Sequence, residues 1–284
     1  MRPIRSLLLY MAVVFGGGAL LAPWLYWLAQ AAAGQWPALG NLASKPFPRF
    51  LNRSLLGLAL LCLYPLLRAC TMLHWRDVGL EDRRSWLSGV ARGFLLGFGS
   101  LAAVALLAVL WGGKSFNAPH SMREILGRAS SAALTAVIVA VMEEFIFRGA
   151  LFGILRKAVT WPEALVWSSA IYAVVHFIQK ASFAGPVQLW SGLALLPKMF
   201  QAGAFVPMFF TLFLAGSILA LAYQRTGKLF FSMGLHAGWI FWLRFYGILI
   251  GGNLLGEWLA LPVLAGVFWI VWRMKPAGER MDGV

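Results

Sequence analysis

The chain is predicted to be all-α, a polytopic bundle of about eight transmembrane helices enclosing an intramembrane polar site. Three observations predict it. Of 284 residues, 61% are hydrophobic and only 12% are charged, whereas a soluble domain carries about a quarter charged residues. Apolar runs approaching the length that crosses a bilayer recur along the whole chain. The stretches between them are short, which leaves no room for a large soluble domain.

The expected spans are residues 7–30, 51–67, 87–111, 129–147, 164–177, 205–223, 230–250 and 254–272. The second and fifth are short, and the fifth also suits a partly buried core helix. Arg2 and Arg5 precede the first, and Ala29-Gln30-Ala31 resembles a signal-peptidase site. The apolar run is nevertheless longer than a signal h-region, so a retained first span is expected. Residues 37–48 form a Gly/Pro-punctuated external loop, and residues 74–86 an interfacial one. In residues 184–204, leucines and Met199 alternate with Gln188, Lys198 and Gln201. That pattern suits either an amphipathic surface segment or a plain connection.

A net charge of +14 raises the question of nucleic acid. The basic residues sit in short clusters between apolar runs, as membrane proteins place them, so no nucleic-acid partner is expected. Eight spans put both termini on one side. That side collects fourteen Lys and Arg, including Arg68, Arg76, Arg83, Arg84, Arg148, Arg156 and Arg280, against eight on the other, including Lys114 and Lys180. The bias predicts cytoplasmic N- and C-termini and a multi-pass protein of the inner (plasma) membrane. The last external turn, Gly251-Gly252-Asn253, carries no charge. Cys62 and Cys70 form no disulfide framework or zinc-ligand spacing and read as small packing residues.

Charged groups inside a membrane are costly, so each is a functional-site hypothesis. The fourth span runs from Ala133 to Met142 straight into Glu143-Glu144-Phe145-Ile146-Phe147-Arg148. Glu144 and Arg148 are four apart on one helix face, the spacing of an ion pair. Glu143 sits about 100° round the helix. The economical division is that Arg148 neutralises Glu144 while Glu143 does chemistry as a general base. The bland alternative is that both glutamates mark a helix end at the interface. Two histidines also fall in apolar runs: His176 closes 170–175, and His236 lies in Ser232-Met233-Gly234-Leu235-His236. His74 and His120 fall in loops. Glutamate with histidine can polarise water for acyl hydrolysis, with a further donor holding the oxyanion. No His-Glu-x-x-His pair and no Gly-x-Ser-x-Gly elbow is present. Ser168, Ser169 and Ser232 read as helix-packing serines.

Glu143-Glu144-Phe145-Ile146-Phe147-Arg148 followed by Gly149 resembles the EExxxR motif of the type II CAAX prenyl endopeptidases and their bacteriocin-processing relatives, the CPBP intramembrane proteases. Tyr172-Ala173-Val174-Val175-His176 resembles the second motif of that family. Tyr223 to Leu229 leading to His236-Ala237-Gly238-Trp239 resembles the third, and Val78-Gly79-Leu80 is also family-like. Order and spacing agree over residues 129–241. The resemblance implies residues 1–122 as N-terminal helices and loops, 123–250 as the catalytic core, and 251–284 as a last helix and cytoplasmic tail. It implies that Glu143 and His176 activate the attacking water and that His236 binds the oxyanion. Glu144, Arg148 and Tyr172 would support the site. The family is often called a metalloprotease. Glu143, His176 and His236 are the candidate zinc ligands, although a glutamate-type mechanism requiring no cofactor is the preferred expectation.

One departure stands out: four residues after the third-motif histidine the family commonly has asparagine, a second oxyanion donor, and this chain has Ile240. Trp239 or a backbone group is the candidate substitute. The leading expectation is therefore an intramembrane endopeptidase acting on a membrane-associated, CAAX-like peptide or protein. The alternative is a catalytically weak or inactive member, a membrane interaction or self-immunity protein. A proton-coupled transporter would also use intramembrane carboxylates and histidines, but no inverted repeat with interrupted helices is apparent.

Overall fold

A computed structural model describes residues 2–81, 86–111, 115, 117, 121–177, 183–200, 205–250 and 258–276. The expected loop positions Arg83, Arg84, Lys114, His120, Lys180, 251–253 and Arg280 lie outside them. The described residues form helices and their connections, without a strand among them. In chain order the helices are α1 (Pro3–Gln35), α2 (Phe47–Ala69), α3 (Trp86–Leu110), α4 (Met122–Leu155), α5 (Trp161–Val175), α6 (Ser191–Leu195), α7 (Phe205–Thr226), α8 (Leu229–Phe245) and α9 (Ala260–Trp272). Each of the eight expected spans overlaps one of them. Five helices (α1 to α4, and α7 over Pro207–Thr226) are long and apolar enough to cross a membrane, and α9 is apolar but only 13 residues long. Large apolar side chains such as Leu134 and Ile138 of α4 stand exposed, which lipid, not water, accommodates. The chain is an integral membrane protein.

The helices fall into two compact units, Met1–Met72 with Ile171–Phe205, and Leu73–Ala170 with Val206–Val284. In the first, α1 contains a π-turn at Val13–Gly17 and a proline, Pro23. Gly18 lets it approach α2 so closely that a Cβ there would meet the Leu55 backbone nitrogen at 3.2 Å. Ser54 donates to the Gly18 carbonyl at 2.7 Å, and Tyr26 packs edge-on to Phe47 and Phe50. Residues 37–43, expected as loop, coil into short helical turns, because Pro37 pre-sets the φ of a first turn. Residues 184–204 contain α6, whose Gly192 backbone lies against the Ala19 carbonyl of α1.

The second unit is organised by the crossing of α3 and α8. Gly93 and Gly97 on α3 face Gly234 and Gly238 on α8, two small-xxx-small pairs. A Cβ at Gly93 or Gly97 would run into the carbonyl oxygens of Phe231 or Leu235; one at Gly234 would run into that of Val90. Such backbone contact is how helices associate where no water drives them together.

α4 begins at a capping box. Ser121 Oγ accepts from the Glu124 amide (3.3 Å), while Glu124 Oε2 accepts from the Ser121 amide (2.9 Å). The expected end at residue 147 is corrected: the helix continues to Leu155 through a π-helical stretch, Phe145–Phe152. Arg148 looked like an interfacial stop, but its charge is met inside the protein. Two glutamates expected at a helix end therefore lie within it.

Before α3, a 3₁₀ turn at Trp75–Val78 ends on Gly79 with φ +75°, a left-handed conformation that favours glycine. The Gly79 carbonyl accepts the first amide of α8, from Leu229 (2.9 Å), and its α-carbon lies against the Tyr223 ring. The Asp77 carboxyl is held below its ordinary value, first by the His74 backbone N–H (2.9 Å) and then by the His74 ring. The family-like Val78-Gly79-Leu80 segment is thus a clamp on the start of the histidine helix.

Candidate active site

Glu144 is fully buried. Its Oε1 accepts from Arg148 Nη1 at 2.9 Å and from His236 Nδ1 at 2.9 Å. Arg148, itself 2% exposed, also donates through Nη2 to the Gly216 carbonyl of α7 (3.1 Å). One carboxylate and one guanidinium therefore tie α4 to α7 and α8. The i, i+4 pair expected from sequence is present, and burial makes it a structural tie, unlike the weak pairs of exposed helix surfaces. Among the described residues Glu144 Oε2 has no hydrogen-bond partner. Ser232, one turn before His236, lies beside this carboxylate but donates to the Leu229 carbonyl (3.0 Å).

The pairing fixes the histidine. A carboxylate only accepts, so His236 Nδ1 carries a proton directed at Glu144, which leaves Nε2 facing the other way. Nε2 stands 3.9 Å from Glu143 Oε2. That separation is too long for a direct hydrogen bond and suits a bridging water or substrate oxygen. Glu143 keeps 20% of its side chain accessible while Glu144 has none. Adjacent residues of one helix thus face different surroundings.

His236 is positioned from behind by the α3–α8 crossing. Trp239 Nε1 donates to Ser100 Oγ of α3 at 2.9 Å, so its indole N–H is engaged there and does not replace the missing asparagine. Ile240 packs on α4 against the cluster of Ala136, Ala140 and Ala237. The position that commonly holds asparagine thus contributes only apolar surface. Sequence reading missed the four glycines and the Ser100–Trp239 bond. The Gly-x-x-x-Gly spacings at 93/97 and 234/238 were the available signal.

His176 and Tyr172 belong to the first unit. His176 follows the end of α5; its Nδ1 lies 2.7 Å from the Tyr172 carbonyl, and its ring is 4.3 Å from the Tyr172 ring. The second unit thus brings together Glu143, Glu144, Arg148 and His236.

Catalytic zinc takes three protein ligands and a water. Among the described residues no group of three or more His, Cys, Asp or Glu side chains is arranged to hold a metal ion. Glu144 Oε1 is already committed to Arg148 and His236. Of the three candidate ligands, Glu143 and His236 stand in the second unit and His176 in the first, and the chemistry proposed for the site uses protein groups alone.

Membrane-length helices and a buried carboxylate–histidine cluster define the class: a helical integral membrane protein with a hydrolase-like polar site. Residues 125–242 match the family model described as type II CAAX prenyl endopeptidase Rce1-like. The match covers less than half of the chain's length, and over that stretch the chain is similar to the Rce1-like family. Comparison with curated proteins and with solved structures gives no match. The family supports a CAAX-type intramembrane protease.

Proposed function

We propose that the protein is an endopeptidase that cleaves a peptide bond of a membrane-associated substrate with water activated by Glu143. The observation that carries this reading is the 3.9 Å gap between Glu143 Oε2 and His236 Nε2, backed by a fully buried Glu144–Arg148 pair. Glu143 takes a proton from water as the water oxygen bonds to the scissile carbonyl carbon. His176 assists in orienting that water, a role carried over from the family motif. The oxyanion accepts from His236 Nε2, which requires the ring to hold both protons. With Glu143 now protonated, Glu144 and the oxyanion offset Arg148 and the imidazolium, so the site is electrically balanced at that stage. Collapse of the tetrahedral intermediate breaks the C–N bond, and Glu143 returns the proton to the leaving amine.

The substrate class proposed is a CAAX-like C-terminal peptide, presented at the membrane with or without a prenyl group, and no cofactor is required. The site lies on the cytoplasmic side in this reading, with both termini there. Mass spectrometry of prenylated and unmodified C-terminal peptides, incubated with purified protein and with its Glu143→Gln variant, tests it. Cleavage at one bond by the wild type alone is expected. Absence of cleavage across the panel would contradict it. Ile240 favours a second reading, a member of low activity whose bundle serves in membrane interaction or self-immunity.

A further inference from the structure

Two arginines inside helical spans, Arg128 of α4 and Arg244 of α8, have no part in the chemistry above. They meet in one cavity of about 510 Å³, lined also by Glu124, Ser131, Thr135 and Ile248. Its distance from the catalytic pair can be read along either helix. Thr135 precedes Glu143 by eight residues and Arg244 follows His236 by eight, about 12 Å in each case at 1.5 Å per residue. Arg128 is farther, about 22 Å from Glu143 by the same rise. Three extended residues reach only about 10–11 Å. That reach is comparable with the separation from Arg244 along the helix and about half of that from Arg128.

The cavity's chemistry points to an anion of its own. Two arginines and one glutamate line it, and Glu124 is committed to the helix cap through Ser121 N (2.9 Å) and Oγ (3.0 Å). Guanidinium pairs with phosphate in a two-point fork, and the Ser131 hydroxyl adds a short-range contact, whereas Thr135 Oγ1 already donates to the Ser131 carbonyl (2.8 Å). The volume exceeds a bare phosphate and suits a headgroup with its glycerol. On the flank of the same face of α4, Leu134 and Ile138 stand exposed, apolar surface on which an acyl chain can lie. We propose that this cavity binds a phosphate-bearing group, supplied by an anionic glycerophospholipid whose chains run along α4. It is a lipid site distinct from the hydrolytic one, and it does not depend on the protease reading.

The test is native mass spectrometry of the full chain released from nanodiscs containing phosphatidylglycerol and phosphatidylcholine. Wild type is compared with Arg128→Gln/Arg244→Gln and with Arg123→Gln, a neighbouring arginine that does not line the cavity. A parallel arm measures the thermal unfolding midpoint in detergent with added inorganic phosphate. The expected result is retention of phosphatidylglycerol by wild type and by Arg123→Gln, reduced about tenfold or more in the double variant. A response to inorganic phosphate alone, lost in the double variant, supports the phosphate site and makes free phosphate its source. The double variant's midpoint without additives checks that it folds. Equal retention by wild type and double variant with no phosphate response, or an equal loss in Arg123→Gln, would overturn the proposal.

Discussion

The two halves of α4 have similar apolar composition and opposite fates. From Met122 to Val141 the helix shows lipid a run of large exposed side chains, with buried positions only at Ala132, Ala136 and Ala140. From Glu144 to Leu155 nearly every residue is covered, the two charged ones included. The difference shows that polarity inside a membrane protein is tolerated where partners converge. α7 offers a carbonyl, α8 a histidine, and the π-helical stretch widens the turn that holds Arg148. The alanines of the first half do another job: they let α8 approach, which carries His236 to Glu143.

The sharpest way to break this contrast is Glu143→Gln. It should lower kcat by about 10²–10⁴-fold while the unfolding midpoint moves little, since Glu143 is partly accessible. Glu144→Gln should do the reverse in emphasis. It leaves Arg148 buried without its counter-ion, at a cost of about 3–5 kcal/mol, measured by denaturant unfolding in detergent. Gly97→Val would force α3 away from α8 through the Leu235 carbonyl. Stability should fall by about 1–3 kcal/mol, with activity falling in parallel as His236 shifts. Ile240→Asn should raise kcat by about tenfold, less than the value of a fully preorganised oxyanion donor, with KM nearly constant. The smallest effect belongs to Asp77. Its carboxyl is depressed in the folded protein, so its contribution to stability is complete above the unfolded value of 3.8 and fades as pH falls through the lower folded one. Asp77→Asn should therefore lower stability slightly at neutral pH and flatten the acid end of the stability–pH curve, so that variant and wild type converge at low pH, as thermal unfolding across that range would record.

Short-range regularities made part of this legible from sequence. The Glu144–Arg148 pair follows from helix periodicity, and the membrane spans follow from hydropathy. The end of α4 was not legible, because an arginine after an apolar run reads as an interface whether or not a buried glutamate meets it. The two termini of the Ser100–Trp239 bond are 139 residues apart, and no local pattern links them. The direction of Ile240 was equally hidden, since only the α3–α8 crossing turns that face of α8 towards Ala136 and Ala140. Arg128 and Arg244 passed as ordinary charges for the same reason: their shared cavity exists only once α4 and α8 are packed.

The central claim is that neighbouring glutamates divide chemistry from structure. The most direct measurement is the cleavage rate and the unfolding free energy of Glu143→Gln and Glu144→Gln, taken side by side on purified protein with and without a zinc chelator. The account predicts a stable but inactive Glu143→Gln, a destabilised Glu144→Gln, and wild-type cleavage unaffected by the chelator. Cleavage retained by Glu143→Gln, or a Glu144→Gln protein as stable as wild type, would contradict it.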